Sequence, residues 1–189
     1  KLDDATEDEI EKLLLPGTLE SLKADPGLIG KSYRIEDAIG RYTVFLKSCI
    51  PASKKFEGVK LVVDAANGAA HKVAPLVFSE LGADITVIGN KPDGKNINDN
   101  IGSTHPGQMQ RTVLEVGAVA GVAYDGDADR AIFCDEKGGI VDGDDVLAIL
   151  ALDMKSRGKL TKGAVVGTVM ANLGLEVFLK SQGIELVRA

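Results

Sequence analysis

The sequence predicts an α/β fold built on a mostly parallel sheet. Short apolar runs such as Lys60-Leu61-Val62-Val63 and Asp84-Ile85-Thr86-Val87-Ile88 alternate with stretches of helical periodicity. Turn residues such as Asn67-Gly68 and Gly82 separate the two kinds of segment. A strand–helix–strand pattern also repeats weakly. Leu61-Val62-Val63, Val77-Phe78 and Leu81-Gly82-Ala83-Asp84-Ile85 recur as Val165-Val166, Val177-Phe178 and Gln182-Gly183-Ile184-Glu185-Leu186. The offset of about a hundred residues suggests two similar units in tandem, although any two βαβ units share such a pattern.

In chain order, Thr6 to Leu15 reads as an acidic helix with Ile10, Leu13 and Leu14 at helical spacing, ended by Pro16-Gly17. Asp25-Pro26-Gly27 is a turn. These first residues carry no core of their own and read as the tail of a domain beginning upstream. Ile35, Ala38, Ile39, Tyr42, Phe45, Leu46 and Cys49 then mark one face of a helix that Pro51 stops. A strand at Lys60 to Val63, a helix from Ala69 to Leu81 capped by Gly82, and a strand at Asp84 to Ile88 follow. Gly89 to Ser103 is a polar loop long enough to expect function or mobility. A helix from Pro106 to Val116 leads to strands at Ala118 to Tyr124 and Ala131 to Cys134, with a hairpin-like turn at Glu136 to Gly139. Beyond Gly143 come a helix to about Lys155, a strand at Val165 to Val169, a helix at Leu173 to Ser181 and a strand at Ile184 to Val187. Ala189 follows directly on that strand, where a βαβ unit would continue, so the sequence reads as a piece of a longer protein.

Composition narrows the functional classes. The 189 residues are 44% hydrophobic, enough for a real core. Lys and Arg total 22 against 28 Asp and Glu, a net charge of −6. An acidic chain with few aromatics and no basic run is a poor partner for nucleic acid or an anionic membrane surface. No apolar stretch approaches the roughly 20 residues of a membrane span, and Lys1-Leu2-Asp3-Asp4 lacks signal-peptide character. Cys49 and Cys134 sit in apolar segments and read as buried, reduced thiols of a cytoplasmic protein. His71 and His105 have no zinc-ligand spacing.

The chemistry concentrates in Asp125-Gly126-Asp127-Ala128-Asp129-Arg130, directly after an apolar strand. In an open parallel sheet, ligands bind beyond the carboxyl ends of strands. Three clustered carboxylates repel one another, so gathering them is costly unless a cation neutralises them. Oxygen-only ligands favour a hard ion such as Mg²⁺. Arg130 adds a planar fork suited to phosphate oxygens, and a metal with an arginine can neutralise a transferring phosphoryl group. A solvated acidic turn is the bland alternative. An EF-hand fails, because Arg130 takes the place of its glycine and the flanks read as strands. A phosphatase with Asp125 as nucleophile and Asp127 as acid/base stays open, as does a non-catalytic module binding metal or a phosphosugar.

The run Tyr124 to Arg130 resembles the metal loop of the α-D-phosphohexomutases. Further segments fit its bacterial phosphoglucosamine mutase branch: Val62-Val63-Asp64-Ala65-Ala66-Asn67-Gly68-Ala69, Gly94-Lys95-Asn96-Ile97-Asn98, Gly102-Ser103-Thr104-His105-Pro106, Asp142-Gly143-Asp144 and Asn172-Leu173-Gly174-Leu175-Glu176. Gly107-Gln108 departs from that branch, which carries an acid after the proline. The resemblance implies a three-layer αβα mixed sheet in tandem phosphohexomutase-type units. It implies residues 1–32 as the tail of domain one, 33–139 as the metal-binding domain two, and 140–189 as the start of domain three. It implies an enzyme interconverting glucosamine 6-phosphate and glucosamine 1-phosphate through a phosphoserine and a bisphosphorylated sugar. Glucose- or mannose-phosphate mutases of the same superfamily remain alternatives. By this carry-over Asp125, Asp127 and Asp129 ligate Mg²⁺, and Arg130 contacts the phosphoryl group or holds the loop. The substrate is a phosphosugar, and the full-length enzyme is a candidate homodimer. The family's phosphoserine motif, sugar-recognition loop and carboxy-terminal phosphate loop have no match here; Ser103-Thr104-His105 is not the first of these. The chain alone is therefore expected to bind metal weakly and to catalyse nothing.

Other candidates have plainer explanations. Asp142, Asp144 and Asp145 stand at a helix start, where acids cap free N–H groups. Asn67-Gly68 and Asn172-Leu173-Gly174 could cradle phosphate but read better as turns. His105 is expected to order the long loop, and Lys95 to be a solvated loop lysine.

Overall fold

The structure, a computed structural model, describes residues 2–51 and 53–189. Lys1, at the head of the amino-terminal segment, lies outside them. The chain divides into two compact units, Lys1–Glu36 and Asp37–Ala189.

In the first unit, helix α1 spans Asp4–Leu13 and begins two residues before the expected Thr6. The reason is its cap: the Asp3 carboxylate accepts the Thr6 N–H at 3.0 Å. Ile10, Leu13 and Leu14 are exposed, consistent with a segment lacking its own core. Asp25-Pro26-Gly27 forms a short 3₁₀ turn in which the Asp25 carboxylate accepts the Gly27 N–H.

The second unit begins with helix α2 (Ala38–Ser48). Strand β1 (Lys60–Asp64), helix α3 (Ala70–Glu80) and strand β2 (Asp84–Ile88) follow. Next come helix α4 (Gly107–Val116), strand β3 (Ala120–Tyr124), strand β4 (Ala131–Asp135) and the short strand β5 (Ile140–Val141). Helix α5 (Gly143–Ser156), strand β6 (Ala164–Gly167), helix α6 (Leu173–Ser181) and strand β7 (Glu185–Arg188) complete it.

The first sheet runs in the order β2-β1-β3-β4-β5. β1 pairs parallel with both β2 and β3, and β4 and β5 add antiparallel. Alternate side chains of a strand face opposite sides, and this builds the layers. Val62 and Ala123 pack with Met109 and Val113 of α4 on one face. Val63 and Val122 pack with Ala70 and Ala74 of α3 on the other. The result is the expected three-layer mixed α/β arrangement. Because the chain leaves β1 toward β2 and then returns to place β3 on the opposite side of β1, a topological switch point lies between the carboxyl ends of β1 and β3.

The tandem pattern is realised in the second sheet, where β6 and β7 pair parallel around α6 over Leu175, Leu179 and Ile184. β6 is shorter than expected. The chain turns at Thr168, whose carbonyl accepts the Ala171 N–H and whose hydroxyl accepts the Met170 N–H, so Val169 falls outside the strand. Gly82, with φ +95°, follows the α3 cap residue Leu81 rather than being the cap itself.

Two expectations are corrected at α2. Its buried residue is Thr43, whereas Tyr42 and Phe45 of the apolar face are exposed. Tyr42 and Leu46 instead line an apolar groove with Val73 and Val77 of α3. Cys49 is exposed, because it lies at the end of this loosely covered helix; Cys134 is buried as expected. Burial also pushes the Cys134 thiol up, which lowers its thiolate fraction. A thiol-reactive chromogenic reagent should therefore label Cys49 rapidly in the folded chain and Cys134 only after unfolding in urea. Equal rates for both would contradict this packing. Among the described residues, no helix is long and apolar enough to cross a membrane.

Candidate metal centre at the switch point

The loop joining β3 to β4 carries Asp125 to Arg130 and leaves the sheet at the carboxyl edge beside β1. Open α/β sheets bind ligands at such a crevice. Asp125 is 2% exposed. Its carboxylate accepts the Arg130 N–H at 3.2 Å through one oxygen and the Arg130 Nε–H at 2.8 Å through the other. The chain closes on itself as the Asp125 N–H donates to the Arg130 carbonyl and the Ala128 N–H to the Asp125 carbonyl. Ala128 allows the tight curvature by adopting φ +63°, a left-handed conformation that costs alanine about 1 kcal/mol.

One carboxylate oxygen from each of Asp125, Asp127 and Asp129 lies within 4.8 Å of the others. The donors are all oxygens, the set that a hard cation such as Mg²⁺ takes, and the three side chains would have to draw inward to hold one together. Asp127 and Asp129 are exposed, open to an arriving ion. The electrostatics show the expected repulsion. The Asp129 carboxyl is raised, first by the hydrogen bond it shares with Asp125 and then by the Asp127 charge. Burial pushes Asp125 up, but the hydrogen bonds and charge of Arg130 outweigh it and hold the carboxyl below its ordinary value. Arg130 pairs with Asp125 and, at 3.6 Å, with Asp129, while its side chain stays 69% exposed. Asp125, paired through both oxygens and buried, is badly placed to attack a phosphoryl group as a nucleophile.

Two neighbouring segments frame this loop. The long loop from Gly89 to Ser103 is knitted to the turn after β1: Asn67 accepts the Lys91 N–H and donates to the Asn96 carbonyl. Ile97 and Asn98 lie against Gly126, where any Cβ would approach Ile97 Cδ1 to 2.7 Å. Asp64, at the end of β1, is fully buried and accepts two backbone N–H groups. Sequence reasoning did not single it out; the available signal was an acid closing an otherwise apolar strand.

Burial raises the Asp64 carboxyl and prevails over the two N–H bonds that draw it down. The folded chain therefore keeps this proton above the ordinary value of 3.8, where the unfolded chain loses it. Between those two values the native state binds more protons, so stability falls as pH rises and levels off above the folded value. Asp64→Asn should remove this falling component, so that the difference in urea stability between wild type and variant varies with pH in the acid range above 3.8.

The remaining candidates take plainer roles. Asp142 and Asp145 form a capping box at the start of α5, and Asp144 accepts the Asn172 N–H. Asn172 caps α6 through the Leu175 N–H. The Thr104 hydroxyl lies 3.2 Å from His105 Nδ1, and the His105 N–H donates to the Gly102 carbonyl, within the long loop. Lys95 is exposed.

An open α/β sheet that gathers three carboxylates and an arginine at its switch point defines a class of protein suited to a hard cation and a phosphorylated ligand. Comparison with known proteins gives the family. Residues 40–139 match the family model "Phosphoglucomutase/phosphomannomutase, alpha/beta/alpha domain II", and residues 142–189 match that for domain III. The chain belongs to the phosphoglucomutase/phosphomannomutase family. This is a family of isomerases acting by phosphoryl transfer, whose members are generally metal-dependent. Relatives named phosphoglucosamine mutase are similar throughout: that of Rhodospirillum rubrum is 52% identical and that of Geobacter sp. strain M21 50% identical, each over 188 residues. The chain is covered completely, yet it spans about 41% of the length of those relatives. A solved family protein from Burkholderia thailandensis shares the fold with a TM-score of 0.70 at 22% identity, over 99% of this chain and 39% of that one. A structure described as a phosphomannomutase from Thermus thermophilus gives a TM-score of 0.62 at 19% identity, over 85% and 38%.

Proposed function

We propose that this chain supplies the Mg²⁺-binding loop of a phosphoglucosamine mutase, which interconverts glucosamine 6-phosphate and glucosamine 1-phosphate. The observation that carries this is the convergence of the Asp125, Asp127 and Asp129 oxygens within 4.8 Å at the carboxyl edge of a parallel strand. Roughly 50% identity to relatives of that name supports glucosamine over other sugars. In this scheme the phosphoryl donor is a phosphoserine contributed from outside residues 1–189, and the sugar passes through a bisphosphorylated form. Bound Mg²⁺ would neutralise charge on the transferring phosphoryl group.

The chain's own residues prepare that site. Asp125 fixes the loop and offers the second lone pair of an oxygen already held by Arg130. Asp127 and Asp129, both exposed, would hold the ion together with it. Arg130, anchored through Nε, leaves the rest of its guanidinium free to meet a phosphate oxygen. Catalysis needs the serine and sugar pocket as well, so residues 1–189 alone bind metal weakly and turn over no substrate. A cytoplasmic setting, a homodimeric full-length enzyme and the absence of nucleic-acid or membrane partners belong to the same proposal.

Calorimetric titration of the chain tests it. Mg²⁺ should bind in the millimolar range and lose affinity in Asp127→Ala, with no response to glucosamine 6-phosphate alone. Tight sugar-phosphate binding would favour a free-standing binding module instead. A fluoroberyllate adduct on Asp125 would favour a phosphatase.

A further inference from the structure

We propose that Asp64 is the positioning residue of the metal loop, holding with its two carboxylate oxygens the two backbone segments that brace it. The loop is held from outside at two carbonyls. The Ser103 N–H donates to the Tyr124 carbonyl at 2.8 Å, and the Ala69 N–H to the Gly126 carbonyl at 2.8 Å. Ser103 ends the long loop, and Ala69 ends the turn after β1. Asp64 ties down both segments. Its Oδ1 accepts the Ala66 N–H, within the turn, at 2.9 Å. Its Oδ2 accepts the Gly102 N–H, next to Ser103, also at 2.9 Å.

An aspartate serving only its own turn would use one oxygen locally. Here the second reaches a residue 38 positions along the chain. The turn it fixes needs fixing, because Ala66 adopts φ +52°, a left-handed conformation that costs alanine about 1 kcal/mol, beside Asn67 at φ +51°, which asparagine accepts more readily. The two braces are also joined directly, as the Asn98 N–H donates to the Ala66 carbonyl at 3.0 Å. Space is reserved for the carboxylate: a Cβ on Gly89 would come within 2.8 Å of Asp64 Oδ1. Asp64 is 0% exposed, so water cannot take over a lost acceptor.

The amide of Asp64→Asn keeps the shape but turns one acceptor into a donor facing an N–H. Because the inference rests on the metal site proposed above, its test has a metal readout and one independent of metal. With Mn²⁺ as the probe, electron paramagnetic resonance should show affinity lower by roughly ten- to a hundredfold. Val113→Ala, a core change on the α4 face, should lower global stability while leaving Mn²⁺ affinity unchanged. By hydrogen exchange, the Ala69, Gly102 and Ser103 amides of Asp64→Asn should lose protection while that of Val113 keeps it. Unchanged Mn²⁺ affinity, an equal loss in Val113→Ala, or retained protection of the three amides would overturn the proposal. If the wild-type chain binds no Mn²⁺, the metal site itself fails and the exchange pattern alone decides the role of Asp64. If Asp64→Asn does not fold, the wild-type amides of Ala66, Ala69, Gly102 and Ser103 decide it. They should exchange as one cooperative unit, and widely scattered protection would overturn it.

Discussion

Asp127→Ala in a mutase carrying this chain is expected to lower turnover roughly a hundred- to a thousandfold, about 3–4 kcal/mol of transition-state stabilisation. Asp127 is the exposed central member of the triplet, and no described hydrogen bond or ion pair commits it to the fold. Its removal deletes a proposed metal ligand without opening a cavity or orphaning a buried partner. The loss should therefore fall on the reaction, with urea denaturation close to wild type. Steady-state turnover with glucosamine 6-phosphate, read beside the denaturation midpoint, checks this. Unchanged turnover would remove Asp127 from the site. The contrast with Asp125 sharpens the test: Asp125→Ala should damage fold and turnover together, because it removes the buried carboxylate that closes the loop on the Arg130 N–H and Nε–H.

Gly68→Ala is the second large effect, and it touches no ligand at all. A Cβ on Gly68 would sit 2.2 Å from the Gly126 carbonyl oxygen and 2.7 Å from its Cα. These are backbone atoms of the metal loop, so no side-chain rotation relieves the overlap. The same carbonyl receives the Ala69 N–H at 2.8 Å. The substitution must push the metal loop off its brace, at a cost of about 1–3 kcal/mol, with a parallel loss of metal affinity. Gly40→Ala provides a control of opposite sign. Gly40 lies inside α2 with nothing within 4 Å of an added Cβ, so it should gain about 0.5–1 kcal/mol from helix propensity. Denaturant midpoints of the two variants should move in opposite directions. A Gly68→Ala chain as stable as wild type would mean that the two loops are not in contact.

What the sequence could reveal follows the range of the interactions. The strand Asp84–Ile88 and the helix Leu173–Ser181 were legible to the residue, because local patterning and turn residues bound them. The aspartate triplet was legible because its members stand at alternate positions of one short run. The order β2-β1-β3 was not, since nothing local to β3 says on which side of β1 it will pair. The role of Asp64 was hidden for the same reason: its second partner is distant in sequence. Cys49 misled because an apolar neighbourhood in the chain is not burial in the fold. The end of β6 was lost to a threonine turn that competes with the strand.

The brace arrangement also bears on how the chain matures. The segments around Asp64, Gly102 and Asp125 are distant in sequence, so their contacts carry the loop-closure entropy of the chain between them. A half-folded chain would carry the three aspartates but not the frame that converges them. If the loop takes a divalent ion as proposed, that ion would bind finished molecules and add RT ln(1 + [metal]/Kd) to their stability. Metal-dependent stability would then report whether the frame around the loop has been completed.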